Sequence, residues 1–182
     1  MSGDTLGKIL HAAAEVFAQQ GFAGAKVDEI AKRAKVNKAA LYYHVGNKVA
    51  LYERVLMEHL GATAQELENS LENAGNGREG LELLIRGLAS RFEQSPLLPR
   101  IMVQELARGA VNMSPAVMGY IARIAGCTAR VVDMAAKESA VQYNPIALHL
   151  SLVSSLAFFS LSGPLREKAA ILLPEIQGLE LD

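Results

Sequence analysis

Lys38-Ala39-Ala40 sets a cation beside two small side chains, and Tyr42-Tyr43-His44 follows with three hydrogen-bonding rings. Lys48 stands shortly after, at the expected start of another helix. This grouping suits a short helix entering the major groove of a duplex. Small residues permit close approach, ammonium groups meet phosphate, and polar rings reach base edges. Bond-breaking chemistry has no comparable set of residues here. The histidines His11, His44, His59 and His149 lack metal-ligand spacing, and no nucleophile–base pair or phosphate loop stands out. No catalytic residue, metal site or cofactor is expected.

The elements that must hold these residues are short. Asp4 or Thr5 opens a helix that presents Leu6, Ile9, Leu10, Ala13, Val16 and Phe17 on one face. Gly21 ends it, with Phe22 folding back as the apolar contact of the cap. A second helix spans residues 27–34, with Val27, Ile30, Ala31 and Ala34 facing inward. Lys35-Val36-Asn37 is a tight connection, and Asn37 is a good N-cap for a third helix over 38–44, with Leu41 inward. Gly46 breaks that helix, and Asn47 caps a long fourth one over 48–73. Two short helices joined by three residues, the second exposed and basic, form a helix-turn-helix pattern.

The run Gly21-Phe22, then Val27 to Ala34, then Val36 to Lys48 resembles the DNA-binding domain of the TetR family. The resemblance covers about residues 8–56. It implies that Lys38, Ala39, Ala40 and Tyr43 face bases, with Asn37 capping their helix. Tyr42 and His44 would touch phosphate or base edges. Lys48 would hold the phosphate contact at the start of helix 4, a role that free N–H groups at a helix start also favour. Four departures stand out. Ala25-Lys26 replaces the usual hydroxyl before helix 2, which weakens the cap while leaving Lys26 a phosphate contact. Lys35 stands where the turn usually has Gly, so a positive φ there is strained by roughly 1 kcal/mol. Ala39-Ala40 replaces Gly-Thr, shifting contacts toward apolar ones such as a thymine methyl. Val45 replaces an aromatic residue and underfills a small core.

The resemblance divides the chain into a helix-turn-helix domain, 1–47, and a helical effector-binding and dimerisation domain, 48–182. It implies a ligand-responsive regulator, in the usual mode a repressor, that binds double-stranded palindromic operator DNA as a homodimer and is released by a small-molecule effector. The alternative is a helical sensor or interaction module without specific DNA binding. Effector-site candidates are Phe92, Met102, Glu105, Met118, Tyr120, His149 and Phe158, each of which also fits an ordinary bundle core.

Further helices are expected over 80–94, 99–108, 115–138 and 145–162. The last is apolar nearly all round, which predicts burial on every side, either as a central helix or, with small Ser151, Ser154 and Ser155, against a second copy. A second dimer helix lies near 166–173, or the chain continues past Asp182. Gly75, Gly77 and Gly80 spell GxGxxG, but the preceding segment is polar and helical, so a dinucleotide loop is rejected. Cys127 reads as inert packing or as a redox sensor.

Composition agrees with an all-α fold. Ala and Leu make 53 of 182 residues, Thr occurs three times and Trp never. The apolar fraction of 51% and a net charge of −1 exclude general disorder. Residues 1–48 carry seven Lys/Arg against four Asp/Glu, whereas 49–182 carry eleven against fifteen. A basic head on an acidic body points to an anionic partner for the head. One cysteine excludes an internal disulfide, and no stretch has the makings of a signal or membrane segment, so a soluble cytoplasmic protein is expected.

Overall fold

The computed structural model describes residues 2–138 and 143–171, and within them the chain is entirely helical. The helices are α1 (Ser2–Gly24), α2 (Val27–Ala34), α3 (Lys38–Val45), α4 (Lys48–Leu71) and α5 (Gly77–Gln94). They continue with α6 (Leu97–Ala107), α7 (Pro115–Ala136), α8 (Pro145–Leu161) and α9 (Gly163–Ala170). They form two compact units, one from Met1–Ala64 with Arg100–Ala122, the other from Gln65–Pro99 with Arg123–Asp182. Helices α4, α6 and α7 each contribute to both.

The first unit is built on the apolar stripe of α1. Ile9, Ala13, Val16 and Phe17 are fully buried, together with Ile30 of α2, Leu41 of α3 and Leu51, Val55 and Leu56 of α4. Gly21 breaks α1 as expected, leaving helical geometry at φ 69, ψ 173, after which helical bonding resumes through Gly24. Phe22 still folds back, 5.0 Å from the Tyr52 ring and 6.3 Å from that of Phe17. A side chain at Gly21 would meet Gln104 of α6 and Arg108 just past its end, both at 2.9 Å.

In the second unit, Leu67, Leu71, Leu84, Leu88, Ile124, Val131 and Leu156 form the core. The glycines of the GxGxxG match serve helix packing. Asn76 caps α5 through Glu79, and a Cβ on Gly77 would lie 2.5 Å from Ala135 Cα. That cap moves the start of α5 ahead of the expected Gly80.

Helix α8 departs from its expectation. Leu156 is its one fully buried residue, while Ile146, Leu150 and Phe158 are 67%, 60% and 71% exposed. An all-round apolar helix meets this chain along one stripe only, chiefly against α5. Residues 172–182, and with them the end of the expected final helix, lie outside the described residues. No single helix among the described residues is long and apolar enough to cross a membrane.

Candidate nucleic-acid interface

Helices α2 and α3 form the expected helix-turn-helix, and its turn chemistry explains the bend. Lys35 closes α2 in the left-handed region, φ 57 and ψ 40. Its N–H donates to the Lys32 carbonyl at 3.2 Å, and the Val36 N–H donates to the Ala31 carbonyl at 3.0 Å. This is a Schellman closure built on lysine where glycine fits without strain. The chain then enters α3 through Asn37, whose side-chain oxygen accepts from the Ala40 N–H at 2.7 Å. As expected from Lys26, the start of α2 has no side-chain cap.

On α3, Lys38, Ala39, Tyr42 and Tyr43 share an outward strip, since residues four apart stack on one helix face. Tyr43 is 87% exposed and Tyr42 is 40% exposed. Ala40 and His44 flank the strip and are half-buried. The His44 ring meets that of Tyr43 edge-on at 5.5 Å, and its carbonyl accepts from Arg54 at 3.4 Å. Leu41 and Val45 anchor the opposite face in the core. Of the nine expected contact residues, Lys26, Asn37, Lys38, Ala39, Tyr42 and Tyr43 are exposed, and Ala40, His44 and Lys48 are half-buried.

The electrostatics of this surface are arranged in pairs. Lys38 sits at the N-terminus of α3, where the helix dipole disfavours a cation. Asp28 of α2 compensates with an ion pair at 2.7 Å, and the hydrogen bond to Asp28 raises the ammonium pKa. Glu29 accepts from Gln20 and Arg33, both at 2.8 Å, and these bonds hold its carboxyl below the usual range. The Gln20 bond ties α2 to α1, and exposed Arg33 also reaches Gln19 of α1 at 2.8 Å. Lys48 lies with its Nζ 4.8 Å from the Phe22 ring centroid and 3.4 Å from the Ala23 carbonyl. Asn47 caps the helix beneath it through the Ala50 N–H at 2.8 Å.

Sequence reasoning missed the residues behind this surface. Tyr52 is buried, packed edge-on against Phe17 at 4.7 Å, and its hydroxyl donates to Glu105 Oε1 at 2.8 Å. Asn112 Nδ2 donates to the same oxygen at 2.9 Å. Desolvation first, and then the Glu105 bond, push the Tyr52 phenol pKa far up. Nothing in the local pattern distinguishes Tyr52 from any other inward residue of α4, because its partner lies 53 positions away.

The effector-site candidates divide between the units. Met102, Glu105, Met118 and Tyr120 belong to the first; Phe92, His149 and Phe158 belong to the second. Glu105 is 1% exposed, and both Tyr52 and Asn112 donate to it. Tyr120 lines an open groove of about 730 Å³ with Leu6, Leu10 and Met57. Met118 and Phe158, expected to face inward, are 47% and 71% exposed. His149 is half-buried, with Nδ1 3.0 Å from the hydroxyl of fully buried Thr128. Among the described residues no three His, Cys, Asp or Glu are grouped to hold a metal ion. Cys127 is buried and burial pushes its thiol pKa up, the condition of a packed cysteine.

Comparisons with known proteins agree with this geometry. Residues 9–55 match the family model of bacterial regulatory proteins, tetR family. The transcriptional activator FasR of Mycolicibacterium smegmatis is 28% identical over 75% of this chain and 61% of its own length. The transcriptional repressor NicS of Pseudomonas putida is 30% identical over 56% of this chain and 48% of its own length. The chain thus spans about half of the curated relatives it matches. Among solved structures, the hemolysin II transcriptional regulator HlyIIR aligns over 100% of this chain and 99% of its own, with TM-score 0.74 at 22% identity. A tetR-family regulatory protein from Rhodococcus aligns over 88% of this chain and 85% of its own, with TM-score 0.75 at 18% identity. Residues 9–55 are thus a DNA-binding helix-turn-helix of the tetR-family type, and the helices around them have the fold of these regulators.

Proposed function

We propose that this chain is a ligand-responsive regulator, acting as a repressor, that reads a palindromic operator as a homodimer and releases it on binding a small molecule. The observation that carries the reading is the outward strip of α3, with Tyr43 87% exposed on a helix capped by Asn37 and anchored by buried Leu41. Lys38, Ala39, Ala40 and Tyr43 take the base edges. Lys26, Tyr42, His44 and Lys48 take phosphates. The homodimer reading is supported by α8, whose Ile146, Leu150 and Phe158 leave more apolar surface in water than a lone domain usually keeps. Ser151, Ser154 and Ser155 on the same helix are small enough for a second helix to approach.

For the effector, His149 with Thr128 is the polar pair we favour, with Phe92 in the same unit. Release requires that the effector bind one arrangement of the paired heads more tightly than the other.

The test is binding to labelled DNA from upstream of the chain's own gene, against a scrambled duplex, at low and physiological salt. The proposal expects preference for the native duplex at physiological salt and a footprint with two half-sites. If the effector reading holds, a ligand found by thermal-shift screening weakens that binding. A ligand that stabilises the protein yet leaves operator affinity unchanged overturns it.

A further inference from the structure

Lys48, the phosphate-facing cation of α4, does not stand alone at the helix start. Its ammonium lies over the Phe22 ring at 4.8 Å. Phe22 packs on Tyr52 at 5.0 Å, with the planes tilted at 58°. The Tyr52 hydroxyl is fixed in turn by Glu105 at 2.8 Å, a carboxylate 1% exposed on α6 whose same oxygen also accepts from Asn112. A buried charge with hydrogen-bond donors is rigid, because any displacement leaves it unpaired in a low-dielectric interior. Two further side chains, from α6 and the residue after it, reach the same corner. Gln104 Nε2 donates to the Ala18 carbonyl at 2.9 Å, and Arg108 lies against Gly21, whose missing side chain makes room for both.

From this chain of contacts we infer that the Tyr52–Glu105 hydrogen bond positions Lys48 for its phosphate, through the Phe22 ring. Tyr52 and Glu105 are positioning residues for DNA binding and do not touch DNA themselves. The inference rests on Lys48 being a phosphate contact, as proposed above. The aromatic rings transmit position because Phe17, Phe22 and Tyr52 pack ring against ring, whereas the Lys48 side chain has four rotatable bonds to be restrained. Without the hydroxyl, the Tyr52 ring loses its one directional tie and Phe22 its fixed support.

The test compares wild type, Lys48→Ala, Tyr52→Phe and the double variant on a duplex selected from random DNA by the wild-type protein, titrated across a salt series. Lys48→Ala is expected to weaken binding by roughly three- to tenfold and to flatten the salt dependence by about one counterion. Tyr52→Phe, which keeps the ring, is expected to weaken binding by a similar or smaller factor and to flatten the slope in the same way. The double variant is expected to match Lys48→Ala alone. A purely structural role for Tyr52 would lower the melting temperature and leave the salt slope unchanged. Glu105→Gln, which still accepts from Tyr52, is expected to retain most of the affinity and serves where Tyr52→Phe folds poorly. An unchanged salt slope in Tyr52→Phe, or effects that multiply in the double variant, overturn the positioning role while the Lys48 contact stands. An unaltered Lys48→Ala overturns the phosphate contact itself and the inference with it.

Discussion

Asp28 and Lys38 face each other at 2.7 Å across the turn of the helix-turn-helix, the first residue of the recognition helix held by the second residue of its neighbour. Both side chains are more than half exposed, so the pair is weak in water and opens readily when a phosphate or a guanine edge competes for the ammonium. Until then it holds the Lys38 ammonium against Asp28 of α2.

Asp28→Asn is therefore expected to tighten DNA binding. It frees Lys38 and removes a negative charge beside the phosphates. The gain is roughly two- to fivefold at low salt and shrinks as screening rises. Fluorescence anisotropy titrations at two salt concentrations check it, and weaker binding would mean that the pair pre-orients Lys38 more than it restrains it.

Lys35→Gly is expected to raise stability. The left-handed backbone at φ 57 strains any residue with a Cβ, and the gain is up to about 1 kcal/mol after the larger chain entropy of glycine is deducted. Lys35→Val, branched at Cβ, is expected to lower it. Urea denaturation with an unchanged m-value reads both.

Two glycines of the second unit predict opposite responses to the same change. Gly77→Ala places a methyl 2.5 Å from Ala135 Cα and 2.6 Å from its N, both main-chain atoms, and forces α5 from α7 at a loss of roughly 1–3 kcal/mol or more. Gly126→Ala, exposed within α7 and meeting nothing within 4 Å, is expected to gain roughly 0.5–1 kcal/mol from helix propensity. Thermal melts of the two variants side by side test the assignment.

Stability is expected to fall on acidification partly through His149. Burial holds its imidazole pKa below the ordinary 6.5, so the unfolded chain takes up the proton first. The contribution is intact above 6.5, begins to decline as pH falls through that value, and is fully lost below the lowered folded-state value. In a His149→Gln variant this part of the decline disappears, so its melting temperature converges on wild type as pH falls.

The DNA-binding head was legible because its determinants are local. Asn37 and Asn47 announce their helices by capping chemistry alone, Leu41 by its place among polar neighbours, and Lys35 by standing where a left-handed residue is needed. The cooperation of Tyr52 with Glu105 was not legible, since side chains 53 residues apart leave no trace in periodicity. Glu105 was instead counted among effector contacts, because a carboxylate within an apolar helix signals a buried polar partner without saying which one. Phe158 illustrates the other limit: an apolar residue on an all-apolar helix carries no phase, so its exposed side could not be told from its buried one.

The central claim is that the α3 strip reads sequence, and the most direct measurement is the affinity of Tyr43→Ala for a duplex selected by the wild-type protein and for single-base variants of it, at physiological salt. Wild type is expected to prefer the selected duplex steeply, and Tyr43→Ala to lose roughly 1–3 kcal/mol of discrimination at one base pair in each half-site while keeping its fold. Wild-type binding equally tight to selected and scrambled duplexes, or a Tyr43→Ala variant with undiminished discrimination, would contradict it.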